Sequence, residues 1–263
     1  MIEQLADIAD PILLALAFGA FLAGLIDAVV GGGGLLQIPL LFTAFPEHPP
    51  APLFGTNKLA SIVGTSSAAI QYARRITIEW SIALPSILAA LLFSWLGARS
   101  VTLFPPDILR PLVLVMLIAV AIYTFRRKEF GLHSSNLRPT GIRPRLSAYA
   151  IGATLGFYDG FFGPGTGSFL IFAFIRFLGM DFLRASVTAK LTNVATNLAA
   201  LAFFAINGAI IWEAALTMAV ANLTGAMAGS HLALKHGSHF IRRVFLLVVC
   251  ALIAKLCWDL LQH

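Results

Sequence analysis

The chain has 263 residues, of which 59% are hydrophobic and 11% charged, and its mean hydropathy is +0.87. Soluble domains carry about 25% charged residues, so the composition excludes a soluble globular protein. The apolar residues are spread along the whole chain, which predicts an integral membrane protein without room for an extramembrane domain. We interpret the net charge of +6 as loop charge at the membrane surface and not as a nucleic-acid site.

Apolar runs of helical length predict the membrane segments. Eight runs are long enough to span a bilayer, at residues 12–30, 54–73, 78–97, 108–125, 146–162, 185–206, 209–234 and 243–261. Two shorter runs, 35–45 and 167–178, follow glycine clusters and would be about 16 to 18 Å long as helices, roughly half the hydrocarbon thickness. Each of the two is expected to be one arm of a broken or re-entrant hairpin in an all-α polytopic membrane protein.

An internal duplication organises the chain. At an ungapped offset of 132 residues, positions 24–119 align with 156–251 and share 21 identical residues. The identities include uncommon residue types: Asp27 with Asp159, Lys58 with Lys190, and Trp80 with Trp212. Leucine-rich helices that match by chance would not align a lysine, a tryptophan and a glycine cluster in one register. The sequence therefore indicates two copies of one half.

The distribution of Lys and Arg predicts the orientation of the two halves. Cytoplasmic loops carry an excess of both residues, and nearly all of those outside the predicted spans fall on one side, with Arg99 and Arg110 as exceptions. This distribution places both termini and the loop 46–52 outside the cell, so the two repeats are inverted relative to each other. The predicted units are a first transmembrane repeat at 1–125, a basic cytoplasmic linker at 126–145 and a second transmembrane repeat at 146–263. Each repeat is a broken short-helix hairpin followed by three transmembrane helices.

The first candidate site is the pair of glycine clusters, GLIDAVVGGGG at 24–34 and GFYDGFFGPGTG at 156–167. Such a break inside a membrane is tolerated only against protein or a water-filled cavity. The short helix after each break would point its N–H groups and positive dipole end at that cavity, which favours an anion. The candidate binding residues in the breaks are Gly31, Gly32, Gly33, Gly34, Gly163, Gly165, Thr166 and Gly167. The alternative is that the glycines only allow close helix packing, but packing does not explain why the break recurs in both halves.

The second candidate site consists of charged residues inside apolar runs: Asp27, Lys58, Asp159 and Lys190. Each costs about 2.5 to 3.5 kcal/mol at a helix centre, so the four are expected to face one another or water. We predict that the two lysines are counter-charges for the anion, with Asn57 and Asn193 beside them. The alternative is that the lysines snorkel to the membrane surface. For the two aspartates three roles stay open, which are capping the short helices, pairing with a lysine, or carrying a coupling proton.

Other kinds of site find no support in the sequence. No Lys-Ser or Lys-Thr follows the glycine runs as a phosphate-binding loop requires, and there is no GxSxG or HExxH. The histidines lie mainly in loops or at chain ends without a Cys or carboxylate at ligand spacing. We therefore expect no metal, no cofactor and no catalytic residues.

The motifs GLIDAVVGGGG and GTNKLAS in the first half, with GFYDGFFGPGTGSF and AKLTNVATNLAAL in the second, strongly resemble the sulfite exporter TauE/SafE family of bacterial membrane transporters. The resemblance covers nearly the whole chain. It implies a permease of the cytoplasmic membrane for sulfur-containing anions such as sulfite, sulfoacetate or thiosulfate, usually regarded as an exporter.

The sequence therefore predicts a secondary transporter of a small anion. The expected substrate is sulfite, another sulfur oxyanion or an organosulfonate. The expected partners are this anion, the lipid bilayer and protons as a coupling ion, with no nucleic acid. An anion channel built on the same glycine breaks is the alternative, and a membrane-embedded enzyme is a more distant one. The sequence leaves open which anion is carried, the direction of transport, the coupling ion and the oligomeric state. A homo-oligomer is one of the states left open.

Overall fold

The structure, a computed structural model, describes residues 11–126 and 141–235, and all regular secondary structure within these ranges is helical. The helices are α1 Pro11–Val30, α2 Gly34–Ala44, α3 Pro50–Ala73, α4 Trp80–Val101, α5 Pro106–Arg126, α6 Ile142–Phe161, α7 Thr166–Leu178, α8 Phe182–Ile206 and α9 at 212–235.

The predicted all-α polytopic fold is confirmed. The helices match the apolar runs to within four residues at each end, and the run at 243–261 lies outside the described residues. Of the described helices, α1, α4 and α8 are long and apolar enough to cross a membrane, while α2 and α7 are shorter apolar helices of 11 and 13 residues. Helix α6 begins at Ile142 and so includes the last residues of the segment predicted as the linker.

Both broken hairpins are present. Helix α2 folds back along α1, and two contacts show this. Leu16 and Leu41 share one buried cluster, and a side chain at Gly19 would overlap Leu40. Helix α7 folds back along α6 in the same way, and Ala148 and Phe174 share a cluster. The chain reverses at glycines with positive φ, which are Gly31 at +80°, Gly163 at +98° and Gly165 at +81°. Such angles are open to glycine without steric cost, which explains why each hairpin contains a glycine run.

Small residues join the two halves of the chain at one close helix crossing. Along the contact of α4 with α6, Gly152, Gly156 and Gly160 face the backbone of Ser86, Ala90 and Ser94. A Cβ at Gly156 would lie 2.8 Å from the Cα of Ala90. The two backbones therefore approach too closely for any larger residue at these positions.

The same crossing occurs again between α9 and α1. A Cβ at Gly24 would overlap the carbonyl oxygen of Asn222, and these two residues are the offset equivalents of Gly156 and Ala90. Helices α3 and α8, which are also equivalent, run antiparallel: Gly55 of α3 faces Phe204 near the end of α8, whereas Tyr72 shares a cluster with Val187 near its start. An antiparallel pair of equivalent helices is what inverted repeats require.

The outer surface is apolar in a repeated pattern. On α4 the residues Trp80, Leu84 and Leu88 are each at least 50% exposed, and so are their equivalents Trp212, Leu216 and Val220 on α9. Their spacing of four residues places each set on one helix face. An apolar outer face of this kind is suited to contact with lipid, as expected for a multi-pass membrane protein.

Candidate functional site

The tips of the two hairpins meet in the interior of the protein. The backbone N–H of Ser168 donates a hydrogen bond of 3.0 Å to the carbonyl oxygen of Gly31, and the Ser168 hydroxyl donates one of 2.7 Å to the carbonyl of Val30. A Cβ at Gly167 would lie 2.6 Å from the Cα of Gly31, and one at Gly34 would lie 3.2 Å from the Cα of Pro164. The two glycine breaks are therefore in direct backbone contact.

A small polar cavity of about 20 Å³ lies beside this contact, which is room for one water molecule. Its walls come from α1, α3, α6 and α8 and from both breaks: Asp27, Gly31, Gly34, Asn57, Lys58, Ser61, Thr65, Asp159, Gly163, Gly165, Gly167, Asn193 and Asn197. The lining thus brings residues of both halves of the chain to one point.

Lys58 and Asp159 form a buried ion pair between the two halves. The Lys58 Nζ lies 2.8 Å from Asp159 Oδ2, and the side chains are 2% and 3% exposed. This distance is typical of a charge-assisted contact, and within the described residues no other group donates a hydrogen bond to Asp159 Oδ2. Gly163 leaves room for the pair, since a Cβ there would lie 3.0 Å from the Lys58 Nζ and 3.2 Å from Asp159 Oδ1.

The equivalent residues Lys190 and Asp27 are held in a different way. The Lys190 Nζ donates a hydrogen bond of 2.7 Å to the main-chain carbonyl of Asp27 and lies 5.5 Å from the ring centre of Tyr72, within the range of a cation–π contact. The Asp27 carboxylate accepts hydrogen bonds from the Gly33 N–H, at 3.3 Å, and the Thr65 hydroxyl, at 3.2 Å. Asp27 therefore caps the start of α2, and Asp159 pairs with a lysine.

The burial of the lysines speaks against snorkelling. Lys58 is 2% and Lys190 3% exposed, and both ammonium groups are directed at partners inside the protein. A snorkelling side chain would place its ammonium group at the surface. Both lysine side chains therefore lie in the interior of the protein.

The structure separates the predicted binding residues into two sets. Together with Asp27 and Asp159, the predicted residues that line the cavity are Gly31, Gly34, Asn57, Lys58, Gly163, Gly165, Gly167 and Asn193. Gly32, Gly33, Thr166 and Lys190 are not in the lining. The Thr166 hydroxyl donates to the Gly163 carbonyl at 2.7 Å, so its role is to hold the second break in shape.

Ser61 lines the cavity without having been predicted, and it lies there with Thr65 and Asn197, two polar residues of the predicted site helices. Two signals in the sequence point to them. Asn57, Ser61 and Thr65 are four residues apart, which places them on one face of α3, and Ser61 and Thr65 are the offset equivalents of Asn193 and Asn197.

The cavity lining combines groups of the kind that bind small anions with the carboxylates of Asp27 and Asp159. It holds the Lys58 ammonium and the N-terminal ends of both short helices, at Gly34 of α2 and at Gly165 and Gly167 around the start of α7. Helix N-termini carry partial positive charge, and at these two the Gly33 N–H is bonded to Asp27 and the Ser168 N–H to Gly31. Among the described residues, no three His, Cys, Asp or Glu side chains are grouped as metal ligands.

These features define a multi-pass helical membrane protein whose polar cavity lies between two broken hairpins, an arrangement typical of secondary transporters. The chain belongs to the sulfite exporter TauE/SafE family, whose family model matches residues 16–256.

Curated relatives cover almost the whole chain. The chain is 35% identical over 253 residues to the probable membrane transporter protein ORF9 of Sinorhizobium sp, covering 96% of this chain and 95% of the relative. It is 37% identical over 251 residues to the probable membrane transporter protein YfcA of Escherichia coli strain K12, covering 95% and 91%. A probable membrane transporter protein of Haemophilus influenzae is 32% identical over 258 residues, covering 96% and 97%. No solved structure is significantly similar to the chain.

Proposed function

We propose that this protein is a secondary transporter that exports a small sulfur-containing anion, sulfite or an organosulfonate, across the bacterial cytoplasmic membrane. The observation that carries the proposal is the convergence of Lys58 and two short-helix N-termini on one buried cavity. Each of these groups favours an anion over a cation or a neutral molecule.

Family membership supports both the transport function and the choice of anion. The family is described by sulfite export, and relatives at 35% and 37% identity are described as probable membrane transporters. Sulfite and sulfonate groups present three oxygens that accept hydrogen bonds. Backbone N–H groups and a lysine are donors that suit such a group.

The size of the cavity favours a carrier over a channel. A volume of about 20 Å³ holds one water molecule, and an ion pair joins two of its walls. Transport then requires the two hairpins to change their contact so that the cavity opens to one side at a time. An inside-negative membrane potential, worth about 2.3 kcal/mol per charge at 100 mV, drives an anion outward.

The proposal is tested with purified protein in liposomes. Radiolabelled sulfite, thiosulfate and methanesulfonate are each assayed for counterflow, which is transient accumulation of label driven by unlabelled anion on the other side, with acetate as a comparison anion. We expect saturable counterflow of at least one sulfur anion and, for the divalent anions sulfite and thiosulfate, faster efflux when the interior is made negative. Absence of counterflow for all three sulfur anions would refute the proposed substrate class, and single-channel currents would identify a channel.

A pair of variants tests the location of the site. Lys58→Met removes the cavity cation and is expected to weaken anion affinity by at least tenfold. Arg99→Met is the matched control, because it removes a positive charge from an exposed position at the end of α4. Equal loss of affinity in both variants would place the site elsewhere.

A further inference from the structure

The two lysine–aspartate pairs occupy equivalent positions but differ in the groups that hold each aspartate. Within residues 11–126 and 141–235, no hydrogen bond from any other group to Asp159 Oδ2 is found, and the charged partner of the carboxylate is Lys58. The Asp27 carboxylate, in contrast, is held by the Gly33 N–H and the Thr65 hydroxyl. Asp159 can therefore leave Lys58 without breaking a hydrogen bond to another group, whereas Asp27 is also held by two hydrogen bonds at the start of α2.

The Asp159 carboxylate occupies the place that a bound anion would take. It is itself an anion, 2.8 Å from the Lys58 Nζ, and the remaining cavity of about 20 Å³ is too small for a sulfonate or sulfite group. An anion that binds Lys58 must therefore displace this carboxylate. A carboxylate that loses its counter-ion in a buried site is unfavourable in the ionised form.

We propose that anion binding and protonation of Asp159 are one coupled event: the anion replaces the carboxylate at Lys58, and the released carboxylate takes up one proton. The inference rests on the proposed function and adds the coupling ion and the residue that carries it. The exchange balances in charge, because the empty site holds an ammonium and a carboxylate, and the loaded site holds an ammonium, a carboxylic acid and the anion. The proton comes from the aqueous side from which the anion enters.

The other titratable groups around Asp159 leave it as the proton acceptor. On its own helix, the Tyr158 hydroxyl donates a hydrogen bond of 2.6 Å to the Pro164 carbonyl. Asp27 of α1 lines the same cavity but is hydrogen-bonded, and Lys190 of α8 is bound to the Asp27 carbonyl. Helices α4 and α7 also pack on α6, and their Arg99 and Arg176 are exposed. Of the charged groups within residues 11–126 and 141–235, only Lys58 forms an ion pair with Asp159.

The coupling sets the charge that crosses the membrane. A monovalent sulfonate with one proton moves without net charge, whereas a sulfite dianion with one proton moves one negative charge. An inside-negative membrane potential favours export of the second pair, whereas a pH gradient that is acidic outside opposes export of both pairs, so that an outward gradient of the anion has to drive net export. The empty carrier returns with the Lys58–Asp159 pair closed, so that it also carries no net charge at this site.

The experiment measures protons and anion together. Methanesulfonate is the main probe because its own charge does not change near neutral pH, and sulfite and thiosulfate are tested beside it. Binding to the purified full-length protein is followed by calorimetry, and proton uptake by a pH indicator in weakly buffered solution. We expect about one proton per bound methanesulfonate and an affinity that falls about tenfold for each unit of rising pH, as linkage of one proton to binding requires.

Matched variants assign the proton to one carboxylate. Asp159→Asn should abolish proton uptake and make the affinity independent of pH, while Asp159→Glu should keep the uptake. Asp27→Asn should keep the ratio of protons to anion whatever its affinity. Should Asp159→Asn not fold, the infrared band of a protonated carboxylic acid provides the second readout. It should appear on anion binding in the wild type and in Asp27→Asn, with a shifted position in Asp159→Glu.

The outcomes separate the two proposals. Failure of all three sulfur anions to bind the wild type would refute the proposed function and the coupling with it. Anion binding without proton uptake would overturn the coupling alone and leave the transport function standing. Proton uptake that is lost in Asp27→Asn and kept in Asp159→Asn would also overturn the assignment to Asp159.

Discussion

Gly31 and Gly32 are neighbours in one run of four glycines, yet the structure gives opposite expectations for their replacement by alanine. Gly31 has a φ of +80°, and a Cβ there would lie 2.6 Å from the Gly167 Cα and from the Ser168 N. Gly32 has no positive φ, and the nearest atoms to a Cβ would be side-chain atoms at 3.7 to 3.9 Å. The first position is closed to any side chain, and the second has space for a methyl group.

The magnitudes follow from these two environments. An L-residue in the left-handed region costs about 1 to 2 kcal/mol, and overpacking costs about 1 to 3 kcal/mol more, since the atoms near Gly31 belong to backbone and have no rotamer to change. Gly31→Ala should thus lower the free energy of unfolding by about 2 to 5 kcal/mol. Gly32→Ala should change it little, or raise it by about 0.4 to 1 kcal/mol by restricting the unfolded chain.

The measurement is unfolding of the purified protein in mixed micelles by increasing SDS, followed by circular dichroism. Gly167→Ala serves as the reciprocal variant, because its Cβ would lie 2.6 Å from the Gly31 Cα, and it should resemble Gly31→Ala. If Gly31→Ala and Gly32→Ala unfold at the same SDS fraction, the hairpin tips do not meet at Gly31 and Gly167. In that case these two residues do not line one cavity.

Three further predictions use other parts of the structure. Thr77 and Asn207 are exposed residues in equivalent loops, and each is replaced by a single cysteine in a chain without Cys250 and Cys257. The two cysteines should react with an impermeant maleimide from opposite sides of the membrane. Labelling of both from the same side would contradict inverted repeats. In the same SDS titration, Lys58→Met should lower the free energy of unfolding by about 3 to 5 kcal/mol, because it leaves a buried carboxylate unpaired. Adding Asp159→Asn should recover most of this stability. Equal stability of all three forms would show that no buried pair exists. Ser168→Ala should lower the free energy of unfolding by about 1 to 3 kcal/mol, because the buried Val30 carbonyl loses its donor. Ser100→Ala, which removes an exposed hydrogen bond, should change it by no more than about 0.5 kcal/mol. Similar losses in the two variants would argue against the contact between the hairpin tips.

Helix positions could be predicted from the sequence because they depend on local patterns. Apolar runs of sufficient length form helices in a membrane, where every backbone polar group needs a partner inside its own segment. The glycine clusters at 31–34 and 163–167 likewise predicted the two breaks, since such runs cannot continue a helix at low cost. The offset of 132 residues identified the equivalent charged residues before any contact was known.

Equivalence in a repeat does not predict contact, and for this reason the cavity could be described only from the tertiary structure. The sequence presents Lys58 and Lys190 as the same residue in two copies, yet one pairs with a carboxylate and the other with a main-chain carbonyl. Nor does the run of glycines show that Gly31 faces the opposite hairpin and Gly32 does not.

The physical reason lies in the range of the interactions. Helix formation and helix breaks are decided by neighbouring residues and by the lipid, so the sequence by itself determined the fold class, the hairpins and the residue types of the site. The Lys58–Asp159 pair and the Ser168–Val30 hydrogen bond join positions more than a hundred residues apart. Both contacts lie beside the closely packed hairpin tips at Gly31, Gly163 and Gly167, an arrangement that only the tertiary structure decided.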